Sequence, residues 1–153
     1  MFIKTFKVKK PTVFGVAVII AVICLLVAVG LTAYRFTRPT IYEMKTEKQR
    51  QEFISEMGWE VPDEFDECKA TVIPEEWNDV YDNYNNLQKE QGFDLSKFKG
   101  KTVDIYTYKV KNYPNYEDSD CIKCTLIVYD GQLIGGDVCS VELDGFMQGL
   151  RKN

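Results

Sequence analysis

Histidine is absent from the 153-residue chain, and no acidic residue precedes Glu43. The lack of histidine removes the side chain most often used as a general acid or base near neutral pH. It also excludes catalytic groups of the Ser-His-Asp and Cys-His types. Phosphate-cradling loops are missing too, because Gly135 and Gly136 lack the lysine, the flanking glycines and the strand-to-helix context that such loops need. We therefore expect no recognisable active site and no cofactor.

Charge is divided unequally along the chain. Residues 1–40 carry six basic side chains, whereas residues 41–153 carry all 23 acidic side chains and the other 13 of the 19 basic ones, a net charge of −10. So acidic a domain repels a phosphate backbone. We therefore expect no nucleic-acid partner; basic partners or cations suit the domain better.

A long apolar run lies near the N-terminus. Val13 to Ala33 is almost wholly aliphatic, and residues 11–34 contain no ionisable side chain except Cys24 and Tyr34. A helix of that length reaches roughly 30 Å, the thickness of a hydrocarbon core. The run is longer than the apolar part of a cleavable signal, and Leu31 stands where a small residue should precede the cut. The sequence predicts a transmembrane helix over residues 11–34, in contact with membrane lipid through Val13 to Ala33.

The orientation of this span rests on its flanking residues. Basic side chains lie on both sides, so that the positive-inside count is almost balanced. A short tail with four lysines is nevertheless hard to translocate, whereas a whole domain crosses largely regardless of its charge. We expect a single-pass cell-membrane protein with residues 1–10 as a cytoplasmic basic tail and residues 35–43 as a juxtamembrane linker. Residues 44–153 would then form an extracytoplasmic domain.

Two helices are predicted in that domain. Thr46 and Gln49 fit a capping box, and Gly58 would end the first helix. The second would begin at Pro74, follow a 3.6-residue apolar rhythm and end at Gly92. A short closing helix is expected over Gly145 to Leu150.

Strands are predicted where β-branched and aromatic residues cluster. Asp130 and Gly131 form the dipeptide most typical of a tight hairpin turn, and Gly135 and Gly136 indicate a bulge or a close backbone approach. The expected strands are 59–61, 69–73, 101–111, 121–129 and 132–143. The sequence thus predicts an α+β domain, a small antiparallel sheet with helices packed on one face. The Cys124 and Leu126 side of the sheet would face the second helix.

Four cysteines lie in the domain, and Cys121 and Cys124 have a CxxC spacing. Redox pairs of this type open a helix, whereas these two cysteines begin a predicted strand and would point to opposite faces. Counting from the hairpin turn places Cys139 diagonal to Cys124, a register that would permit a disulfide. Cys68, Cys121, Cys124 and Cys139 are therefore free core thiols, members of one or two disulfides, or a metal or redox group.

Two further surfaces are candidates for binding. The acidic loop with Asp118 and Asp120 could collect a cation, although it lacks the later ligands of a calcium loop and also fits a solvated hairpin tip. Tyrosines near one end of the sheet could present a recognition surface or be covered by the first helix. They are Tyr106, Tyr108, Tyr113 and Tyr116.

Several short strings resemble a bacterial family of domains of unknown function, the one numbered 4830, found in short membrane-anchored proteins of Gram-positive anaerobes. The strings are Gln91 to Ser96, Gly100 to Val103, Tyr106 to Tyr108, Asn112 to Pro114, Val128 to Gly131, Ile134 to Ser140 and Leu143 to Phe146. The resemblance covers roughly Met44 to Leu150. It implies a single anchored domain and contributes no activity or ligand residues.

Taken together, these features favour a membrane-tethered, non-enzymatic binding or interaction module, whose partner could be another membrane or envelope protein. The alternative is a metal or redox site built from carboxylates and cysteines around Cys121, Cys124 and Asp137. A third hypothesis is that the apolar helix itself recruits a partner within the bilayer.

Overall fold

The computed structural model describes residues 20–31, 41–117 and 119–152 and divides the chain into two units, residues 1–40 and residues 41–153. In the first unit, residues 20–31 are helical (α1). No helix within the described residues is both long and apolar enough to cross a membrane. Half of the span predicted over residues 11–34, namely 11–19 and 32–34, lies outside the described residues, as do the tail 1–10 and residues 35–40 of the linker.

The second unit is an α+β domain built on a five-stranded antiparallel sheet in the order β1-β2-β3-β4-β5. Its strands are β1 (Glu67–Val72), β2 (Thr102–Lys109), β3 (Ile122–Tyr129), β4 (Gln132–Ser140) and β5 (Met147–Gln148). The hairpin between β3 and β4 is confirmed, because Asp130 and Gly131 both have positive φ, as a type I′ turn requires. The register shifts by one residue at Ile134, so the predicted bulge is confirmed as well.

Helix α2 (Glu47–Glu56) has the predicted capping box. The Gln49 backbone N–H donates to the Thr46 hydroxyl, and the Thr46 backbone N–H donates to the Gln49 side chain. Helix α3 (Asp79–Glu90) begins later than expected. Asn78 rather than Pro74 starts it, because the Asn78 side chain accepts hydrogen bonds from the backbone N–H groups at the start of the helix. A short 3₁₀ helix, Leu95–Phe98, follows.

Helices α2 and α3 lie on opposite faces of the sheet, and the prediction that they share one face is wrong. Alternate residues of β3 belong to two separate cores, since Leu126 packs with Phe53 and Ile54 of α2, whereas Ile127 packs with Leu95 and Tyr84. The Cys124 and Leu126 side therefore faces α2 and not α3.

Two more predicted elements differ. Residues 59–61 form no strand, and Trp59 instead inserts into the core with its indole N–H donating to the Leu150 carbonyl. The closing helix over Gly145 to Leu150 is wrong too. The chain turns at Asp144, which has a φ of 60°, and returns along β4 as β5.

Different segments cover the outer edge of β4. Near its start, the Met44 N–H donates to the Gly131 carbonyl and the Leu133 N–H donates to the Tyr42 carbonyl. In the middle of β4, Gln88 of α3 and Gln91, which directly follows α3, form hydrogen bonds with the Gly136 backbone. Further on, β5 pairs with β4. Strand β1 forms the opposite edge, where among the described strands only β2 pairs with it.

Candidate functional site

A groove of about 780 Å³ lies between α3 and the face of the sheet that α2 does not cover. Its wall is the first part of α3 and the segment before it, and its floor is formed by alternate residues of β1 to β4, which point to the same face. The lining residues are mostly apolar or aromatic. The principal ones are Trp77, Val80, Tyr81, Tyr84, Leu87, Ile105, Thr125, Ile127, Asp137 and Cys139.

The two glycines of β4 permit close packing on different neighbours, with Gly135 against α3 and Gly136 against the backbone of β3 and Leu150. A Cβ at Gly136 would collide with the Thr125 carbonyl oxygen, and one at Gly135 would press on Gln88. Gln88 accepts the Gly136 N–H at 2.8 Å, and Gln91 donates to the Gly136 carbonyl at 3.0 Å. These bonds fix the second half of α3 to the edge of β4, while its first half forms the wall of the groove. The close backbone approach predicted from the glycine pair is confirmed.

Asp137 is the only carboxylate that lines the groove within the described part of the chain. It is 3% exposed, and its Oδ1 accepts a 2.7 Å hydrogen bond from the Tyr84 hydroxyl. Its Oδ2 is buried and has no hydrogen-bond partner of good geometry among the described residues. Burial raises the pKa of Asp137, and the Tyr84 hydroxyl and the Cys139 thiol only partly oppose the rise.

The cysteines are all free in the described structure, so that, of the alternatives left open by the sequence, the Cys124–Cys139 disulfide is not formed. Cys124 is opposite Val138 and Cys139 is opposite Lys123, so the two thiols occupy different faces of the sheet. Burial raises the pKa of Cys124, and burial together with Asp137 raises the pKa of Cys139 to about 12. Both thiols are therefore protonated near neutral pH and are poor nucleophiles.

The residues predicted as weak metal ligands are not gathered into one site in the described structure. Cys121 is half-buried and contacts Ser119, whereas Cys124 is fully buried on the other face. Asp120 is exposed and pairs with Lys109 at 3.2 Å. Asp118 lies outside the described residues. Among the described residues, no group of three or more cysteine and carboxylate side chains is placed to hold a metal ion.

The predicted tyrosine surface is largely covered by the α2 side of the domain. Tyr108 is fully buried and accepts a hydrogen bond from Arg50, whose guanidinium also lies 3.9 Å from the ring centroid of Tyr106. Tyr113 stacks on Trp59, and Tyr116 packs edge-on against Tyr113. Of the two alternatives left open by the sequence, coverage by the first helix applies to Tyr108.

Sequence reasoning missed the groove itself. It named Asp137 only together with Cys121 and Cys124, and it assigned no role to Tyr84. The signal that could have found the site is a single charged residue within the apolar run of β4, next to a glycine pair that indicates close packing.

The family model described as Domain of unknown function (DUF4830) matches residues 40–138. The matched range begins before α2 and includes Asp137. No curated protein and no solved structure matches the chain.

Proposed function

The chain belongs to this DUF4830 family of unknown function, and we propose that it is a membrane-anchored, extracytoplasmic binding module whose ligand site is the groove between α3 and the sheet. The observation that carries the binding role is the groove itself. A volume of about 780 Å³ falls within the range of small-molecule sites, which combine apolar and aromatic walls with a few polar groups. Here the polar groups include Asp137, Tyr84 and Thr125.

The rim of the groove supports the same role. Val80 is 72% exposed and Tyr81 is 42% exposed, so α3 presents apolar surface to solvent beside an already apolar cavity. Exposed apolar patches next to a concave site are typical of ligand-binding surfaces. A ligand with an apolar body would cover these side chains.

The membrane anchor is supported by α1 and by the longer apolar run that contains it. Residues 20–31 include no charged side chain, and Leu25 and Leu26 are each 65% exposed. Lipid is the solvent that suits such a surface. The four lysines before the run favour a cytoplasmic N-terminus and a domain on the other side.

The metal and redox alternative finds less support. The Cys139 thiol has its pKa raised to about 12, whereas redox and metal-binding cysteines need a readily formed thiolate. Binding without chemistry is the role that the groove supports best.

The test uses the full-length chain in lipid nanodiscs with carbon-13 methyl-labelled isoleucine. The probe is 2-phenylethanol, a small neutral molecule with an apolar ring. Ile105 and Ile127 line the groove, whereas Ile54 and Ile122 pack on the opposite face and serve as internal references. We expect saturable shifts of the Ile105 and Ile127 methyl signals, with the reference signals unchanged.

Thr125→Phe supplies the matched variant, because a phenyl ring at the floor would fill the groove. Thr102→Phe is its control, since Thr102 is exposed on the other face of the same sheet. The first substitution should abolish the methyl shifts and the second should preserve them. Absence of saturable shifts at Ile105 and Ile127 in the unmodified chain, with this alcohol and with ammonium and carboxylate analogues of similar size alike, would refute the groove as a binding site.

A further inference from the structure

Among the described residues, one charged side chain lines the groove, and it is acidic. Asp137 lies at its floor, and no lysine or arginine lines it among the residues that the structure describes. The carboxylate accepts one hydrogen bond, from Tyr84 at 2.7 Å, and Oδ2 accepts none of good geometry. A side chain only 3% exposed therefore has one carboxylate oxygen without a well-formed hydrogen bond beside an open cavity.

The groups that face Asp137 from the neighbouring elements do not compensate its charge. Tyr84 on α3 and Cys139 on β4 are both acids, and neither of them carries a positive charge at any pH. Lys123 acts on Cys139, but its ammonium pairs with the carboxylate of Asp66 at 2.8 Å. A negative charge on Asp137 thus has no cation of its own within the described domain.

We propose, building on the binding function proposed above, that the ligand of the groove is an organic cation, an ammonium group on an apolar body, and that Asp137 selects its charge. The apolar body occupies the cavity between α3 and the sheet. The ammonium lies toward the Tyr84 hydroxyl and Asp137. The ammonium supplies a positive charge that none of the described lining residues provides.

Three features of the site suit such a ligand. Coulombic attraction in a poorly solvated groove acts over several ångströms, so an ammonium is attracted without displacing Tyr84 from Oδ1. The aromatic side chains of Tyr81 and Tyr84 line the groove, and aromatic rings attract cations, whereas the Trp77 ring already has the Lys99 ammonium 4.3 Å from its centroid. The net charge of −10 on residues 41–153 raises the local concentration of cations around the domain.

The test compares three probes of similar size in the full-length chain in nanodiscs: 2-phenylethylammonium, 2-phenylethanol and 3-phenylpropionate. Affinity is read from the Ile105 and Ile127 methyl signals at about pH 8. We expect the ammonium to bind about tenfold more tightly than the alcohol and the carboxylate to bind most weakly. In Asp137→Asn, which keeps the shape and the Tyr84 contact, the ammonium and the alcohol should bind within about twofold of each other.

A second measurement keeps the proposal testable if Asp137→Asn does not fold. Between about pH 5 and pH 8 the probe amine stays charged, and Tyr84, Cys139 and Cys124 all stay protonated because burial raises each pKa. Burial raises the pKa of Asp137, so Asp137 is the group facing the site whose negative charge increases with pH. Affinity for the ammonium should rise with pH in the unmodified chain, and affinity for the alcohol should stay constant.

The outcomes separate this inference from the function on which it rests. Equal affinity for ammonium and alcohol, or tighter binding of the carboxylate, with groove methyl shifts present, would overturn the cation inference and leave the binding function standing. An ammonium preference that survives in Asp137→Asn would also overturn it. Absence of groove shifts with every probe would overturn both.

Discussion

Arg50 and Tyr108, which are 58 positions apart in the sequence, meet through a 3.0 Å hydrogen bond that joins α2 to β2 on the face opposite the groove. The Arg50 guanidinium also donates to the Met44 carbonyl at 2.8 Å and to Glu47 at 2.7 Å. It is 5% exposed, so its hydrogen bonds are made largely out of water. This arrangement satisfies a buried cation fully and ties α2 to both the chain before it and the sheet.

Arg50→Lys should lower the free energy of unfolding by about 2 kcal/mol, because the single nitrogen of lysine cannot reach the three separated acceptors that Nε, Nη1 and Nη2 of the guanidinium contact. Urea unfolding followed by tryptophan fluorescence measures the change. Tyr108→Phe removes one of the bonds and should cost about 1 kcal/mol. The two losses should not add in the double variant, since they share one hydrogen bond. Full additivity would contradict the coupling.

The close packing around β4 predicts unequal effects at two neighbouring glycines. Gly136→Ala should destabilise the domain by about 3 kcal/mol, because the new methyl meets the backbone oxygen of Thr125 and the side chain of Leu150. Gly135→Ala meets only side chains, Gln88 Oε1 at 3.0 Å and Leu95 at 3.1 Å. It should cost about 1 kcal/mol. Equal losses in the same unfolding experiment would mean that the contact with the Thr125 carbonyl oxygen does not determine the cost of a methyl group at Gly136.

Asp137 should make stability depend on pH in a direction opposite to that of most carboxylates. Because burial raises its pKa in the folded state above the usual value of 3.8, the folded chain binds the proton more tightly than the unfolded chain. Its contribution to the free energy of unfolding is therefore fully present at low pH. It is lost as pH rises from the unfolded pKa through the folded one.

The measurement is the difference in free energy of unfolding between the unmodified chain and Asp137→Asn, taken at a series of pH values. Subtraction cancels the other titrating groups. The unmodified chain should lose stability relative to Asp137→Asn as pH rises above about 4, and the difference should then level off. A difference that is independent of pH would show that the carboxyl keeps an ordinary pKa in the folded state.

Topology can be tested through Cys68, which is exposed on β1. If residues 41–153 lie outside the cytoplasm, a membrane-impermeant maleimide should label Cys68 in intact cells, and Cys68→Ser should remove most of the labelling. The protein should also stay with the membrane after alkaline carbonate extraction. Labelling of Cys68 only after the cells are opened would reverse the proposed orientation. Release by carbonate with residues 1–40 intact would remove the anchor.

Local chemistry explains what the sequence revealed of the fold. Thr46 with Gln49, and Asp130 with Gly131, specify a helix start and a turn through contacts within a few residues, and both predictions are confirmed. The face that each helix covers depends on contacts between distant residues. Leu126 and Ile127 are adjacent, apolar and buried on opposite faces, so their pattern does not indicate which helix covers which.

The candidate site could not be predicted from the sequence, because it too depends on contacts between distant residues. Asp137 and Tyr84 are 53 positions apart, and nothing near either one indicates the other. Their meeting depends on the direction in which α3 crosses the sheet, which Gln88 and Gln91 set through their bonds to Gly136. The glycine pair indicated that something would approach β4 closely, but it did not indicate what.

The two edges of the sheet have different consequences for self-association. Along β4 the backbone groups are paired in turn by the segment before α2, by glutamine side chains and by β5, so no strand from another molecule can be added there without displacing them. Among the described strands, none pairs with the outer edge of β1. The charged residues Glu67 and Lys69 in this strand discourage pairing with another strand, but they leave its outer backbone groups accessible. The sheet can therefore be extended from one side only, which limits edge-to-edge pairing to closed pairs of domains and prevents growth into fibres by this route.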